Sequence, residues 1–200
     1  MHLNLFIMEK RGFTYLLSLL FAISFLACSD DDDNGNDNGM PDPDMGRFEM
    51  SVSGDASHEI EGLAFFVTAV NPDTGQEITS LTLVKEGEPA SVTMLTIGGS
   101  RPSSGTYTIE DYLLFDVDED FQYPDDVFLG MGYHSYNASV LYFYSKAGQL
   151  TINHSSLVNV SGSFSFSADG FQSDPPMVDG DLEISGVFNA IVTDTPPAHP

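Results

Sequence analysis

Three observations predict an all-β fold of antiparallel strands. Apolar residues alternate with polar ones at a period of two in one segment after another. Clusters of Gly, Pro, Asn and Asp punctuate those segments. No stretch of useful length spaces its apolar residues as the face of a helix requires. Phe48, Met50 and Val52 mark the first strand. Residues 62–70 are a nearly continuous apolar run, the pattern of a strand covered on both faces. Asn71-Pro72-Asp73-Thr74-Gly75 is a turn, and residues 78–84 return from it. Residues 92–97 follow, closed by Gly98-Gly99, and Tyr107 and Ile109 open another strand after Pro102-Ser103-Ser104-Gly105. Residues 127–134 and 139–145 are rich in aromatics. Lys146-Ala147-Gly148-Gln149 predicts a hairpin that joins the latter to Leu150-Thr151-Ile152.

The last two strands have the strongest pattern. Val158, Val160, Phe164 and Phe166 fall on one face with Gly162 in step; Leu182, Ile184, Phe188, Ala190 and Val192 do the same with Gly186. Both carry a branched residue followed by Ser-Gly-x-Phe, as Val160-Ser161-Gly162-Ser163-Phe164 and Ile184-Ser185-Gly186-Val187-Phe188. A glycine inside a strand marks a bulge, a bend or a close backbone approach. The paired motifs therefore predict adjacent antiparallel strands that bend together over one core. Eight or nine short strands in residues 47–193 suit a single β-sandwich of jelly-roll or immunoglobulin-like form. The alternative is a lipocalin-like closed β-barrel. Residues 194–200 read as a flexible tail.

Ahead of the domain stands Cys28, the only cysteine in the 200 residues. Lys10 and Arg11 form a basic n-region, residues 13–26 an apolar h-region, and Ala27 supplies a small residue before the cut. The h-region is shorter than the roughly 20 residues of a bilayer span. Residues 1–27 read as a signal peptide, with Met8 as the expected true start because residues 1–7 place apolar side chains ahead of the basic pair. Residues 28–46 follow as an acidic tether, too poor in apolar side chains to offset the entropy of ordering it.

Phe25-Leu26-Ala27-Cys28-Ser29 with Asp30-Asp31-Asp32-Asp33 behind it resembles the processing site of bacterial lipoproteins, in the relaxed form found among the Bacteroidota. The resemblance implies a fatty-acylated Cys28, palmitate being a typical chain, and anchorage in the outer membrane. The acidic stretch implies display toward the cell exterior. The C-terminal third is also similar to uncharacterised all-β lipoproteins of that group, which brings no activity with it.

The formal net charge of −24, from 30 acidic and 6 basic residues, repels nucleic acid and anionic lipid heads. It suits a saline habitat or a cation-binding surface. Calcium is the one candidate cofactor, at Asp116, Asp118 and Asp120, whose alternate carboxylates could converge on a hard cation. Phe121 stands where an EF-hand needs Gly, so such a site would be an irregular loop. His58, His134, His154 and His199 share no metal-ligand spacing. There is no nucleophile elbow and no phosphate loop, and lipid would occupy Cys28, so no enzyme is expected. Tyr133 and Tyr136 are the candidates for stacking on a glycan, within an aromatic- and carboxylate-rich segment, residues 111–136. The expected function is a non-catalytic surface lipoprotein whose partner is a glycan or an envelope protein. The alternatives are a carbohydrate-binding accessory of nutrient uptake and a calcium-stabilised adhesion module.

Overall fold

A computed structural model describes residues 45–54, 57–72, 74–88, 91–115, 121–136, 139–172 and 179–193. Within them the fold is all-β, one sheet of nine strands: β1 (Arg47–Gly54), β2 (His58–Val70), β3 (Glu77–Lys85), β4 (Val92–Gly98), β5 (Gly105–Glu110), β6 (Val127–Tyr136), β7 (Ser139–Ser155), β8 (Asn159–Gln172) and β9 (Asp179–Thr193). A single 3-10 turn, Tyr112–Leu114, lies between β5 and β6. Antiparallel pairings run β1–β2–β3–β4–β6–β7–β8–β9, and β9 pairs antiparallel with β1, so the sequence of pairings returns to its start. The turn after β2 forms as its residues demand. Asn71 N–H donates to Gln76 O at 2.7 Å, Gly75 N–H donates to Asn71 O at 2.8 Å, and Gly75 takes the positive φ of 72° that the turn needs.

Alternation decides which side chains form the core. Phe48, Met50 and Val52 of β1, Leu81 and Leu83 of β3, and Leu182, Ile184, Phe188 and Ala190 of β9 all point to one cluster and are buried. β2 is buried on both faces over its middle. Ala64 and Phe66 enter the main core, whereas Phe65 and Val67 join Val84, Val92 and Met94 in a second cluster on the outer face.

The Ser-Gly-x-Phe motifs have a reciprocal register. Gly162 pairs with Phe188, and Phe164 pairs with Gly186. Each glycine leaves room for the other strand's ring, and the two rings stack at 6.4 Å and 27°. A Cβ on Gly186 would meet Phe164 Cζ at 2.6 Å and the Glu49 carbonyl of β1 at 2.6 Å. The same device recurs where Gly132 faces Phe143 and Gly148 faces Phe166. Aromatic rings covering cross-strand glycines let the sheet curve without leaving voids.

Two sequence expectations fail. Residues 146–149 do not turn, because β7 runs through them as one strand with a β-bulge between Ser145 and Ala147. Gly148 is present for close packing, since a Cβ there would overlap Phe166 and the Ser165 carbonyl. The bulge sits at a fork: β7 pairs with β6 before it and with β5 after it, while β5 pairs parallel with the first residues of β6. Val158 is 61% exposed and lies outside β8. The Ser156 hydroxyl accepts from Val158 N–H at 3.2 Å and Asn159 N–H at 3.1 Å, turning the chain before the pleat begins.

At the fork the fully buried Ser145 hydroxyl donates to Glu110 O at 2.6 Å and accepts from Gly130 N–H at 2.9 Å. It pairs backbone groups that the splitting strands would leave without partners. Ser145→Ala should cost about 2 kcal/mol, the penalty for buried groups left unsatisfied. Hydrogen exchange at the Gly130 amide should quicken by the corresponding factor. Unchanged exchange there would mean the hydroxyl does not hold the fork together.

Candidate functional site

The aromatic side chains that alternation turns away from the core gather beside the β5–β6 connection. Gly132 and His134 are buried, so Tyr133 between them faces outward; Leu141 and Phe143 are buried, so Tyr142 does too, as does Tyr144. Tyr133 pairs with Tyr142 across β6 and β7, and their rings meet edge to face at 5.0 Å and 75°. On its other side Tyr133 pairs with Val92, which pairs with Val84. One row of cross-strand neighbours thus runs from the second apolar cluster to the tyrosines.

The connection carries further rings to this surface. Asp111 caps the 3-10 turn by accepting from Leu113 N–H at 2.9 Å. The turn places Tyr112 against Tyr144 at 5.3 Å. Phe121 and Tyr123 contact each other edge to face at 5.0 Å. Gln76 holds Tyr123 from both sides: its Nε2 donates to Tyr123 O at 2.6 Å and its Oε1 accepts from Tyr123 N–H at 2.8 Å. Burial, with the Tyr123 hydroxyl close by, pushes the Tyr112 phenol well above its ordinary value. Burial also raises the Tyr144 phenol, and it raises the Tyr142 phenol with Tyr133 and Tyr144 beside it acting in the same direction. The Tyr112, Tyr142 and Tyr144 hydroxyls remain protonated donors at neutral pH.

Of the residues singled out from sequence, Tyr133 lies in this surface. Tyr136 ends β6 paired with Ser139, but its side chain is outside the described residues. Cys28, Asp116, Asp118 and Asp120, the signal peptide, nearly all of the tether and the tail also lie outside them. Among the described residues no group of three or more His, Cys, Asp or Glu is placed to hold a metal ion. Tyr142 was the missed partner of Tyr133. Only Asn137-Ala138 separate Tyr136 from Ser139 in the sequence; those two residues pair, and three positions further along each strand are Tyr133 and Tyr142.

A second polar group lies on the core face. His134 is 2% exposed, stacks on Phe143 at 5.8 Å and 12°, and shares a 2.8 Å hydrogen bond between its Nε2 and Thr93 Oγ1. Thr93 can donate its one hydroxyl hydrogen to Met50 Sδ at 3.9 Å. Nε2–H then donates to Oγ1, and Nδ1 is left as a bare lone pair, buried without a hydrogen-bond partner among the described residues. Burial lowers the imidazole pKa to about 4, helped by the positive charge of Lys85 and by His58, and opposed by Glu88. Lys85 Nζ is paired with Glu88 at 2.6 Å, and Ser91 Oγ donates to the same carboxylate at 3.1 Å. His134 is therefore neutral at physiological pH, a buried polar residue held by packing.

The fold and this surface define an all-β domain with an outward tyrosine cluster and a filled core. No protein-family model, curated protein or solved structure matches the chain.

Proposed function

We propose that this chain is a surface-displayed bacterial lipoprotein, acylated at Cys28, whose β domain is non-catalytic and serves a binding or envelope role. The observation that carries the reading is the order of features at the N-terminus: basic pair, apolar stretch, Ala27-Cys28, then consecutive aspartates. One acyl chain binds a membrane only marginally and two or more hold it stably, at about 0.8 kcal/mol per buried methylene. For the domain we take the closed-barrel form over the sandwich, supported by pairings that return to their start and by one main core cluster shared among the strands. Phe66, Phe128, Phe143 and Phe166 are fully buried on the core face, which favours recognition on the outside of the domain over ligand uptake into its interior. Cys28→Ser should abolish incorporation of labelled palmitate and release the protein from the membrane fraction. Unchanged labelling would overturn the reading.

The carbohydrate-binding alternative rests on the same outward tyrosines. Stacking successive sugar rings requires a flat aromatic platform, whereas Tyr133 and Tyr142 stand at 75° to each other. The general binding role is therefore placed ahead of it.

A further inference from the structure

We propose that the Tyr133–Tyr142 corner is a docking site for a cationic group, the ammonium or guanidinium of a basic segment on a partner protein. The proposal rests on the binding role above and names the chemistry of the partner. Three observations lead to it. First, the two rings are held edge to face on the outer sheet surface, 5.0 Å apart at 75°. The positive edge of one lies on the negative face of the other, and this polarises the first ring so that its own face attracts a cation more strongly. Two ring faces at a steep angle are also the beginning of an aromatic cage, the arrangement that accepts ammonium groups.

Second, the corner has rigid supports. Gly132, Phe143 and His134 pack beneath it, and Val92 abuts Tyr133 in register, so the rings need little ordering when a partner arrives. Third, the charge is complementary. The chain carries −24, a field that concentrates cations at its surface and speeds the approach of a basic partner. The chain's own cations near this surface are engaged: Lys85 with Glu88, and Lys146 with Asp169 at 3.0 Å and Asp181 at 3.3 Å. Asp169 pairs with Tyr144 across β8 and β7, so the Lys146–Asp169 ion pair lies on the strand next to β7 and leaves no lysine charge facing the corner uncompensated.

The test uses the full chain with ¹³C-labelled tyrosine rings, titrated with tetramethylammonium chloride against NaCl at equal ionic strength. tert-Butanol serves as an uncharged mimic of similar shape. Saturable shifts confined to Tyr133, Tyr142 and their ring neighbours, seen with tetramethylammonium alone, are expected. Tyr133→Phe should keep that affinity within about twofold, and Tyr133→Ala should weaken it about fivefold, the size of an exposed cation–π contact. Equal shifts with tert-butanol would overturn the proposal, because the corner would then read shape alone. Uniform, unsaturable shifts across all tyrosines would overturn it too, as bulk screening. Saturable shifts with a neutral oligosaccharide and none with tetramethylammonium would replace it with the glycan reading. Should Tyr133→Ala not fold, the comparison of salt with mimic on the unaltered protein decides alone. Palmitate labelling of Cys28 is read separately, so failure here leaves the lipoprotein reading standing.

Discussion

Gly132→Ala is expected to cost about 3 kcal/mol of stability, at the upper end of ordinary overpacking. A methyl group there would overlap the Phe143 ring at three of its carbons. An exposed ring would swing aside at little cost. Phe143 is fully buried, stacked on His134 on one side and 6.2 Å from Phe166 on another, so its displacement must disturb both. Phe143→Leu removes the clashing edge but leaves a cavity of its own. The double variant Gly132→Ala/Phe143→Leu should therefore be about 1–2 kcal/mol more stable than the two single losses predict. Urea unfolding of the four proteins gives the coupling directly. Strict additivity would mean that the ring over the glycine is not what holds this part of the sheet.

Acid should weaken the fold through His134 before it titrates most carboxylates. The imidazole has a pKa of about 4 in the folded protein, against 6.5 for an unperturbed histidine. As pH falls the unfolded chain takes up this proton first, so stability declines below about 6.5 and the decline levels off at about 4. Across that window the loss amounts to about 3 kcal/mol. His58 is shifted the same way by burial and Lys85 and adds to the slope. Glu88 is held below its ordinary value chiefly by its hydrogen bond from Lys85. Its contribution is present above the normal carboxylate range and disappears only at lower pH, as it protonates. His134→Phe keeps the stack on Phe143 and removes the titrating group. It should lower stability at neutral pH by losing the Thr93 hydrogen bond, yet flatten the dependence between pH 6.5 and 4.5. An unchanged slope in His134→Phe would show that His134 is not the group responsible.

Both predictions concern residues whose roles were only half legible in the chain. Alternation alone turns His134 and Gly132 to the core face and Tyr133 away from it. That the imidazole meets Thr93 follows from β4 pairing with β6 and leaving β5 aside, which no local pattern encodes. The tyrosine corner was closer to the surface of the sequence. Tyr133 stood out for its neighbours, and its partner Tyr142 was one step of register counting away. Lys146-Ala147-Gly148-Gln149 misled because its composition fits a turn as well as it fits a bulged strand. The choice between them depended on β5, more than thirty residues earlier, inserting beside β7 at the fork.

By itself the sequence determined that the domain is all-β, which residues of β1 and β9 and, Val158 apart, of β8 enter the core, and that the two Ser-Gly-x-Phe strands lie side by side. Those properties follow from period-two alternation and turn chemistry, which are local and act through each strand's own pleat. Tertiary structure alone decided the order of the strands, the fork closed by Ser145 and the phenylalanine rings laid over glycines. Each of these is a register between separate strands, which no single strand's pleat specifies. Register is selected by which pairing buries the most apolar surface while leaving the fewest backbone groups without partners.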